Sequence, residues 1–268
     1  KMIKNKINNY IRKSKEYSKK VVIAIVGNAK EITKVDEDYT NGTSIVSEYY
    51  ALQKFNQIVD TLKSEGFETI SYYDEMDFIY DVLTHRIRNN YYKPIIVFNF
   101  AQKGIVHGRK SLIPLFCEMN SIIHTNSDPM VCSLTREKYF WYKLLNGICP
   151  VCPTWEYDAK LNWISGKPET KVIAKLENQC SSIGLTSENV FTFSDAKIDF
   201  LYNLSTKYSC RVILQKFIEG YEVEFPFCYD GNEAFCLKPQ GIKIKGENYI
   251  GEKILDYDAR RTHSYEFY

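Results

Sequence analysis

A lysine and a loop of small residues lie close together in the middle of the chain. Lys175 ends the apolar run 172–174, and the loop 178–184, with the sequence NQCSSIG, begins three residues later. A lysine at a strand end can meet a phosphate group while the backbone N–H groups and hydroxyls of such a loop cover it. The pattern predicts a phosphate site formed by Lys175, Ser181 and Ser182. Taken alone, it also fits a surface lysine beside an ordinary turn.

Cysteine spacing offers one other candidate for metal or redox chemistry. Cys149 and Cys152 form a CxxC pair, but the sequence has no second pair and no nearby pair of histidines. Gly147, Pro150 and Pro153 instead favour a loop that leaves a helix. We therefore predict no metal ligands in this chain and expect the other cysteines to be small buried hydrophobes in a reducing compartment.

Composition excludes few classes of function. The 268 residues carry a formal net charge of +2, which favours no polyanion partner. No run approaches the roughly 18 consecutive apolar residues of a membrane helix. The N-terminus also lacks the apolar core and cleavage site of a signal peptide. We expect a cytoplasmic protein without a membrane partner.

The N-terminal segment 2–19 has apolar residues at helical spacing and Lys and Arg on the opposite face. The basic face fits either a solvated face on a docking helix or a nucleic-acid contact. We favour the solvated face and predict no nucleic-acid partner.

The first half of the sequence alternates strands and helices. The buried run 21–27 is typical of a parallel strand. It is followed by a helix that Thr43 and Ser44 cap and that runs to about residue 63, a strand at 68–72, a helix at 75–88, and strands at 94–100 and 122–125. This order predicts an α/β domain with a doubly wound parallel sheet.

The second half has a different organisation. We predict helices at 135–145 and 195–207 and strands at 171–176 and 211–217, followed by strands at 222–229, 234–239 and 249–257. This mixed, antiparallel-leaning pattern suits an α+β fold in which two sheets clamp a nucleotide.

Several segments form an ordered set. An apolar strand ends at Phe98-Asn99, a Gly108-Arg109 turn follows, and a helix start at 127–129 precedes the helix that carries Lys138. With the loop 178–184 and the segment 212–224, this set resembles the D-alanine–D-alanine ligase branch of the ATP-grasp enzymes. The resemblance implies an N-terminal parallel doubly wound domain followed by two α+β subdomains that clamp ATP, the last one incomplete. It implies a basic N-terminal helix at 1–20, an α/β domain at 21–126, a small ATP-grasp subdomain at 127–217 and the start of the C-terminal subdomain at 218–268.

The resemblance also assigns roles to residues. It implies that Arg260, on a segment similar to the family's mobile flap, acts in catalysis together with Ser181 and Ser182. It implies that ATP is bound by Lys138, Lys175, Gly184, Gln215, Lys216, Phe217, Ile218 and Glu222, with the hinge 215–218 at the adenine edge and Glu222 on the ribose hydroxyls. Glu48 is a weaker candidate for substrate binding, since it also fits a carboxylate at a helix start.

Four positions depart from the family pattern. Leu176 replaces a Pro, Cys180 a Gly, Gln215 an acid and Arg260 a Lys. We expect Cys180 to stiffen the loop, because a cysteine does not adopt positive φ cheaply.

The resemblance implies an ATP-dependent carboxylate–amine ligase that forms an acylphosphate and joins two amino acids, with a divergent substrate. Its cofactors are ATP and Mg²⁺, whose ligands are expected beyond residue 268. Its partners are a small amino-acid or carboxylate substrate and a second copy in a homodimer. The alternative is a non-catalytic ATP-binding or interaction module derived from an ATP-grasp enzyme.

Overall fold

The computed structural model describes residues 2–35, 38 and 44–268. The chain divides into two compact units, Lys1–Thr135 (unit 1) and Arg136–Tyr268 (unit 2). The finer domain boundaries given above stay predictions.

Unit 1 is built around a four-stranded parallel sheet with the strand order β2-β1-β3-β4. Short 3-10 helices occur at Ile45–Glu48 and His107–Ser111. Its other elements are α1 (Met2–Tyr17), β1 (Val22–Val26), α2 (Leu52–Ser64), β2 (Glu68–Tyr72), α3 (Glu75–Leu83), α4 (Arg86–Asn90), β3 (Ile95–Asn99), α5 (Leu112–Met119), β4 (Ile123–His124) and α6 (Pro129–Leu134).

Helices cover both faces of this sheet. Every residue of β1 is buried. Ala24 and Val26 belong to one apolar cluster, which includes Phe78 of α3, whereas Ile25 belongs to a second cluster with Phe55 of α2. Successive strand residues point to opposite faces, so a strand that is apolar throughout requires a core on each side. The predicted doubly wound parallel sheet is therefore confirmed.

Two helix predictions in unit 1 are wrong in detail. The helix expected from residues 43 and 44 to about 63 is a 3-10 helix capped by Ser44, then a break, then α2. The break exists because Tyr50 forms a bridge with Ala29 after β1; Thr43 lies outside the described residues. The helix expected at 75–88 is interrupted at His85, which has a φ of 57°.

The N-terminal helix forms over Met2–Tyr17 as expected, but several of its apolar residues lie at the surface, while Ile7 is half-buried. Ile3, Tyr10 and Ile11 are all exposed. Among the described residues, no helix is long and apolar enough to cross a membrane.

Unit 2 contains two larger antiparallel sheets and a hairpin. The five-stranded sheet has the order β6-β5-β9-β7-β8, the four-stranded sheet has the order β14-β10-β13-β15, and β11 pairs with β12. The elements are α7 (Lys138–Leu145), β5 (Thr154–Asp158), β6 (Asn162–Trp163), β7 (Lys171–Leu176), β8 (Val190–Thr192), α8 (Ile198–Tyr208), β9 (Val212–Lys216), β10 (Gly220–Glu224), β11 (Phe227–Tyr229), β12 (Ala234–Cys236), β13 (Gln240–Ile244), β14 (Tyr249–Gly251), α9 (Tyr257–Arg261) and β15 (Tyr265–Phe267).

The predicted α+β character of unit 2 is confirmed, but its last strands differ from the prediction. The strand expected at 222–229 is two strands, because the chain leaves β10 at Phe225 and Pro226, and a proline cannot donate to a ladder. The strand expected at 249–257 ends at Gly251, and Asp256 caps α9 by accepting a hydrogen bond from the Ala259 N–H at 2.8 Å.

The cysteine prediction holds only in part. Cys117 and Cys210 are buried, whereas Cys132, Cys228 and Cys236 are half-buried. Cys180 is exposed, because its loop lies at the surface of a cavity.

Replacement of Phe55 by alanine tests the core of unit 1. Phe55 is fully buried and packs edge-on or tilted against Phe100 and Tyr73. We expect Phe55→Ala to lower the free energy of unfolding by about 3–5 kcal/mol in urea denaturation, through lost burial and a residual cavity. The control Met76→Ala, at a side chain that is 59% exposed, should change it by less than about 0.5 kcal/mol. Equal effects of the two variants would contradict this description of the core.

Candidate functional site

A cavity of about 540 Å³ lies between the two larger sheets of unit 2. Its walls come from β7 and β9 of one sheet, from β10 and β14 of the other, and from α7 and α9. The predicted site residues that surround it are Lys138, Lys175, Ser181, Ser182, Gln215, Lys216, Phe217, Ile218, Glu222 and Arg260.

The charges around this cavity are unbalanced. Its described lining residues include five cations, namely Lys138, Lys175, Lys216, Lys253 and Arg260, and a single carboxylate, Glu222. A cleft lined with one sign of charge attracts ligands of the opposite sign. Sequence reasoning missed Lys253, which follows β14 and forms an ion pair with Glu247. No local motif marks it, because only the return of the chain after β14 brings it to the cavity.

Lys175 reaches the cavity from the end of β7. Its ammonium donates to the side-chain oxygen of Gln215 at 3.0 Å. Burial lowers the pKa of Lys175, and the charge of Glu222 acts in the opposite direction. Burial removes the Lys175 ammonium from water, and the protein gives it few hydrogen-bond partners in return. A bound anion would therefore stabilise its charged form.

Gln215 stands where the resemblance implies an acidic residue. Its side-chain oxygen accepts the hydrogen bond from Lys175, and its amide nitrogen lies 3.4 Å from the Thr154 hydroxyl. The departure from an acidic residue thus creates a neutral partner for Lys175 within the sheet.

One backbone carbonyl of the hinge lacks a ladder donor. The Lys216 N–H donates to the Pro153 carbonyl at 2.9 Å, which is one half of an antiparallel hydrogen-bonded pair. The reciprocal bond needs an N–H at residue 153, and proline has none. The Lys216 carbonyl is therefore left without this ladder donor.

Lys138 binds carbonyls at the end of β7 and at the start of the loop 178–184. Lys138 is the first residue of α7, and its ammonium donates to the carbonyls of Leu176 at 2.9 Å, Glu177 at 2.8 Å and also Gln179. Burial lowers the pKa of Lys138 to about 8.

The loop itself is strained at its two serines. Ser181 and Ser182 have φ values of 53° and 57°, and non-glycine residues in this left-handed region cost on the order of 1 kcal/mol each. Cys180, which we expected to stiffen the loop, is not among the described residues with a positive φ, and the strain lies one and two residues later. Strain of this kind is typical of ligand-binding loops.

Gly184 does not line the cavity. Its φ is 73°, and a Cβ there would lie 2.9 Å from a Leu176 methyl group and 3.2 Å from the Tyr208 ring. Glycine is therefore required by the close packing of the loop against β7 and α8. A direct role of Gly184 in ATP binding stays a prediction.

Ser182 joins the loop to the segment that carries Arg260. The Ser182 hydroxyl donates to the Leu255 carbonyl at 2.6 Å and accepts from Nε of Arg260 at 3.0 Å. The Tyr257 N–H also donates to the Leu185 carbonyl at 3.1 Å. These bonds hold the Arg260 guanidinium beside the loop.

A buried acidic group lies behind the cavity. Glu177 is 1% exposed, and burial, followed by the neighbouring charge of Glu137, raises the pKa of its carboxyl well above the usual range. Glu156 acts in the same direction, while Arg211 opposes it; Arg211 is itself paired with Glu156 at 3.1 Å. Glu177 is consequently held as a neutral acid at moderate pH.

Glu48 lies in unit 1, at a separate cavity of about 420 Å³. Its buried carboxylate is 3.3 Å from Arg109, and amide side chains of Asn99, Gln102 and Asn126 share the cavity wall. Asn99 and Gln102 lie at and just after the end of β3, the position where open parallel sheets bind ligands. Substrate binding by Glu48 stays a prediction, and its ion pair with Arg109 had no sequence signal.

Replacement of Glu177 by glutamine tests the buried acid. A raised pKa in the folded state gives stability that is fully present below the unfolded value of about 4.3 and is lost as pH rises through the folded value. The free energy of unfolding of wild type minus that of Glu177→Gln should therefore fall as pH rises above about 4.3. The fall should be at most about 1.4 kcal/mol per pH unit. Denaturation of both proteins between pH 5 and 9 measures the difference, and the exposed Glu188→Gln is the control. A difference that does not vary with pH would contradict the raised pKa.

The fold is similar to that of solved ligases. No family model matches the sequence, and no curated protein matches it. The structure is similar to D-alanine–D-alanine ligase from Bacillus anthracis complexed with ATP (TM-score 0.56, 14% identity, covering 84% of this chain and 67% of that one). It is also similar to the VanG D-Ala:D-Ser ligase from Enterococcus faecalis, with a TM-score of 0.56 and 14% identity, covering 91% of this chain and 79% of that one. The D-alanine–D-alanine ligase from Coxiella burnetii has a TM-score of 0.53 and 13% identity, and the match covers 83% of this chain and 71% of that one.

The chain spans about two thirds of the two Bacillus anthracis structures, 67% and 64% of their lengths. At 12–14% identity these likenesses establish the fold alone. The chain has the ATP-grasp fold of the D-alanine–D-alanine ligases.

Proposed function

We propose that unit 2 binds ATP and that the protein is an ATP-dependent carboxylate–amine ligase. The observation that carries the proposal is the cavity between two antiparallel sheets, with five cations and one carboxylate among its described lining residues. The similar Bacillus anthracis ligase was solved as a complex with ATP, and its fold covers 84% of this chain.

The distribution of these charges suits a nucleoside triphosphate. Arg260 donates to Ser182 of the serine-containing loop, and Lys175 lines the same cavity, where the two cations would offset the triphosphate charge. Lys253 adds a third cation on the side of the four-stranded sheet. Oxygen-rich polyanions bind well where several cations and backbone N–H groups converge.

The other end of the cavity suits an adenine base. The Lys216 carbonyl, which lacks its ladder donor because residue 153 is proline, can accept from the adenine amino group. The base would lie among apolar side chains of the cavity wall, namely Ile173, Leu176, Phe217, Ile218, Ile250 and Leu255. Apolar walls with a few placed polar groups are the usual composition of such sites.

Glu222 supplies the acceptor for the ribose. It lies on β10 beside the hinge and is exposed to the cavity. A carboxylate has enough lone pairs to accept from two vicinal hydroxyls. Since the charge of Glu222 also favours the protonated form of Lys175, the two residues support one another in the site.

The chemistry proposed is that of the similar ligases. The terminal phosphoryl group passes from ATP to the carboxylate of a first amino acid, giving an acylphosphate and ADP. The amine of a second amino acid then attacks the acyl carbon, and phosphate leaves. Lys175 and Arg260 would stabilise the charge that develops on the transferring group.

The Mg²⁺ that the resemblance implies has no site among the described residues. Within 2–35, 38 and 44–268, no group of three His, Cys, Asp or Glu side chains is arranged to hold a metal ion. The described residues therefore do not fit a metal site, and we derive no step through one. Amino-acid substrates, a homodimer and the absence of a nucleic-acid partner stay predictions.

Replacement of Lys175 by methionine tests nucleotide binding. Loss of a charged donor to phosphate should weaken ATP binding on the order of tenfold to a hundredfold in titration calorimetry. The control is Lys207→Met, an exposed lysine in the last turn of α8, which should bind ATP as wild type does. Unchanged ATP affinity of Lys175→Met would contradict the role of Lys175 in phosphate binding. Absence of ATP binding by the wild-type protein would contradict the proposal that unit 2 binds ATP.

Release of ADP from Mg-ATP tests the reaction. The full encoded protein should release ADP only when one amino acid of a panel of D- and L-forms is present, because the phosphoryl group needs a carboxylate acceptor. The alternative, a non-catalytic ATP-binding module, predicts ATP binding without ADP release across the panel. Release that is independent of any added carboxylate would contradict both descriptions.

A further inference from the structure

The Ser182 hydroxyl has two partners whose chemistry fixes the direction of both hydrogen bonds. It lies 2.6 Å from the Leu255 carbonyl and 3.0 Å from Nε of Arg260. A carbonyl can only accept a hydrogen bond, and a guanidinium nitrogen can only donate one. The single hydroxyl proton of Ser182 is therefore donated to Leu255, and the hydroxyl oxygen accepts from Nε. In this arrangement the hydroxyl has no proton left for a phosphate group, although the sequence predicts Ser182 as part of the phosphate site.

The backbone that carries Arg260 is anchored independently of this hydrogen bond. Leu255 and Ala259 are buried in one apolar cluster with residues of β13 and β14. The Asp256 carboxylate accepts from the Ala259 N–H at 2.8 Å, and the Asp256 carbonyl accepts from the Arg260 N–H at 3.2 Å. These contacts fix the point at which the Arg260 side chain begins, and Ser182 fixes the position of Nε near its end.

The hydrogen bond at Nε leaves the rest of the guanidinium for a ligand. A guanidinium has five N–H donors, one on Nε and two on each Nη nitrogen. Among the residues that the structure describes, none accepts from Nη1 or Nη2 of Arg260, and Arg260 lines the cavity between the two sheets. The two Nη groups can donate in parallel to two oxygens of one phosphate group, a geometry that arginine offers and lysine does not.

We propose that Ser182 is a positioning residue, which holds Nε of Arg260 so that Nη1 and Nη2 bind a phosphate group of ATP, and that its hydroxyl is not itself a phosphate ligand. The proposal rests on nucleotide binding in unit 2. It also gives the departure from lysine at position 260 a physical reason. A lysine has one nitrogen, which would have to bind both Ser182 and the phosphate, whereas arginine divides these contacts among three nitrogens.

A double-mutant cycle between positions 182 and 260 tests this role. Ser182→Gly removes the hydroxyl and suits the backbone, because φ of Ser182 is 57°. In the wild-type background it should weaken ATP binding roughly tenfold or more in titration calorimetry, since a hydrogen bond to a charged group is lost. In the Arg260→Met background the same substitution should change the affinity less than about twofold, because the residue through which Ser182 acts is absent. A hydroxyl that bound phosphate directly would weaken the affinity by the same factor in both backgrounds.

Two further comparisons separate positioning from a general loss of structure. Ser182→Gly keeps the charge of Arg260, so the salt dependence of ATP binding should be retained, whereas Arg260→Met should flatten it. Ser209→Gly is the matched control, because Ser209 is an exposed serine with a φ of 47° that does not line the cavity. It should bind ATP as wild type does. Thermal unfolding checks that each variant is folded, and Ser182→Ala replaces the glycine variant if that variant does not fold.

NMR spectra of the ligand-free protein observe the Nε–H group of Arg260 directly. Its signal is assigned by its loss in Arg260→Met. Because the hydrogen bond to Ser182 protects this proton, its exchange with water should be faster in Ser182→Gly than in wild type and unchanged in Ser209→Gly.

The outcomes separate this inference from the proposed function. Full ATP affinity of Ser182→Gly, equal losses of affinity in the two backgrounds, or unchanged exchange at Nε overturns the positioning role. If wild type binds no ATP while exchange at Nε is faster in Ser182→Gly, the nucleotide proposal fails and the role of Ser182 in holding the guanidinium stands.

Discussion

The candidate site depends on the antiparallel pairing of β7 with β9. This register places Lys175 opposite Ile213 and Ile173 opposite Gln215, so that the lysine side chain reaches the hinge strand. The same pairing continues to the Phe217 N–H, which donates to the Lys171 carbonyl. A shift of one residue would turn Lys175 to the opposite face of the sheet and remove the cation from the cavity. The positions of the loop and of the hinge both follow from this one register.

Much of the framework could be predicted from local patterns. The apolar runs of β1 and β7 identify buried strands, because a strand with both faces covered needs apolar residues throughout. The lysine and the serine-containing loop after β7 could be picked out locally as neighbours, and the structure places Lys175, Ser181 and Ser182 at one cavity. The break at Tyr50 could not be predicted from local patterns, since it arises from a bridge to Ala29, which is distant in sequence. Lys253 was missed for a similar reason, because tertiary structure alone brings it to the cavity.

Two buried ionisable groups lie beside the loop 178–184. Desolvation lowers the pKa of Lys138 to about 8 and raises that of Glu177, so both groups are costly in their charged forms. The carbonyls of 176, 177 and 179 compensate the lysine, and a proton compensates the acid. The hydrogen bonds of Lys138 hold the backbone from the end of β7 into the first residues of the loop, whereas the left-handed serines that follow carry strain.

The most direct test of the central claim is a crystal structure of the protein with a non-hydrolysable ATP analogue. The account predicts the triphosphate beside Lys175, Arg260 and the serine-containing loop, with the adenine amino group on the Lys216 carbonyl. An analogue bound outside this cavity, or a base turned away from the hinge, would contradict the account.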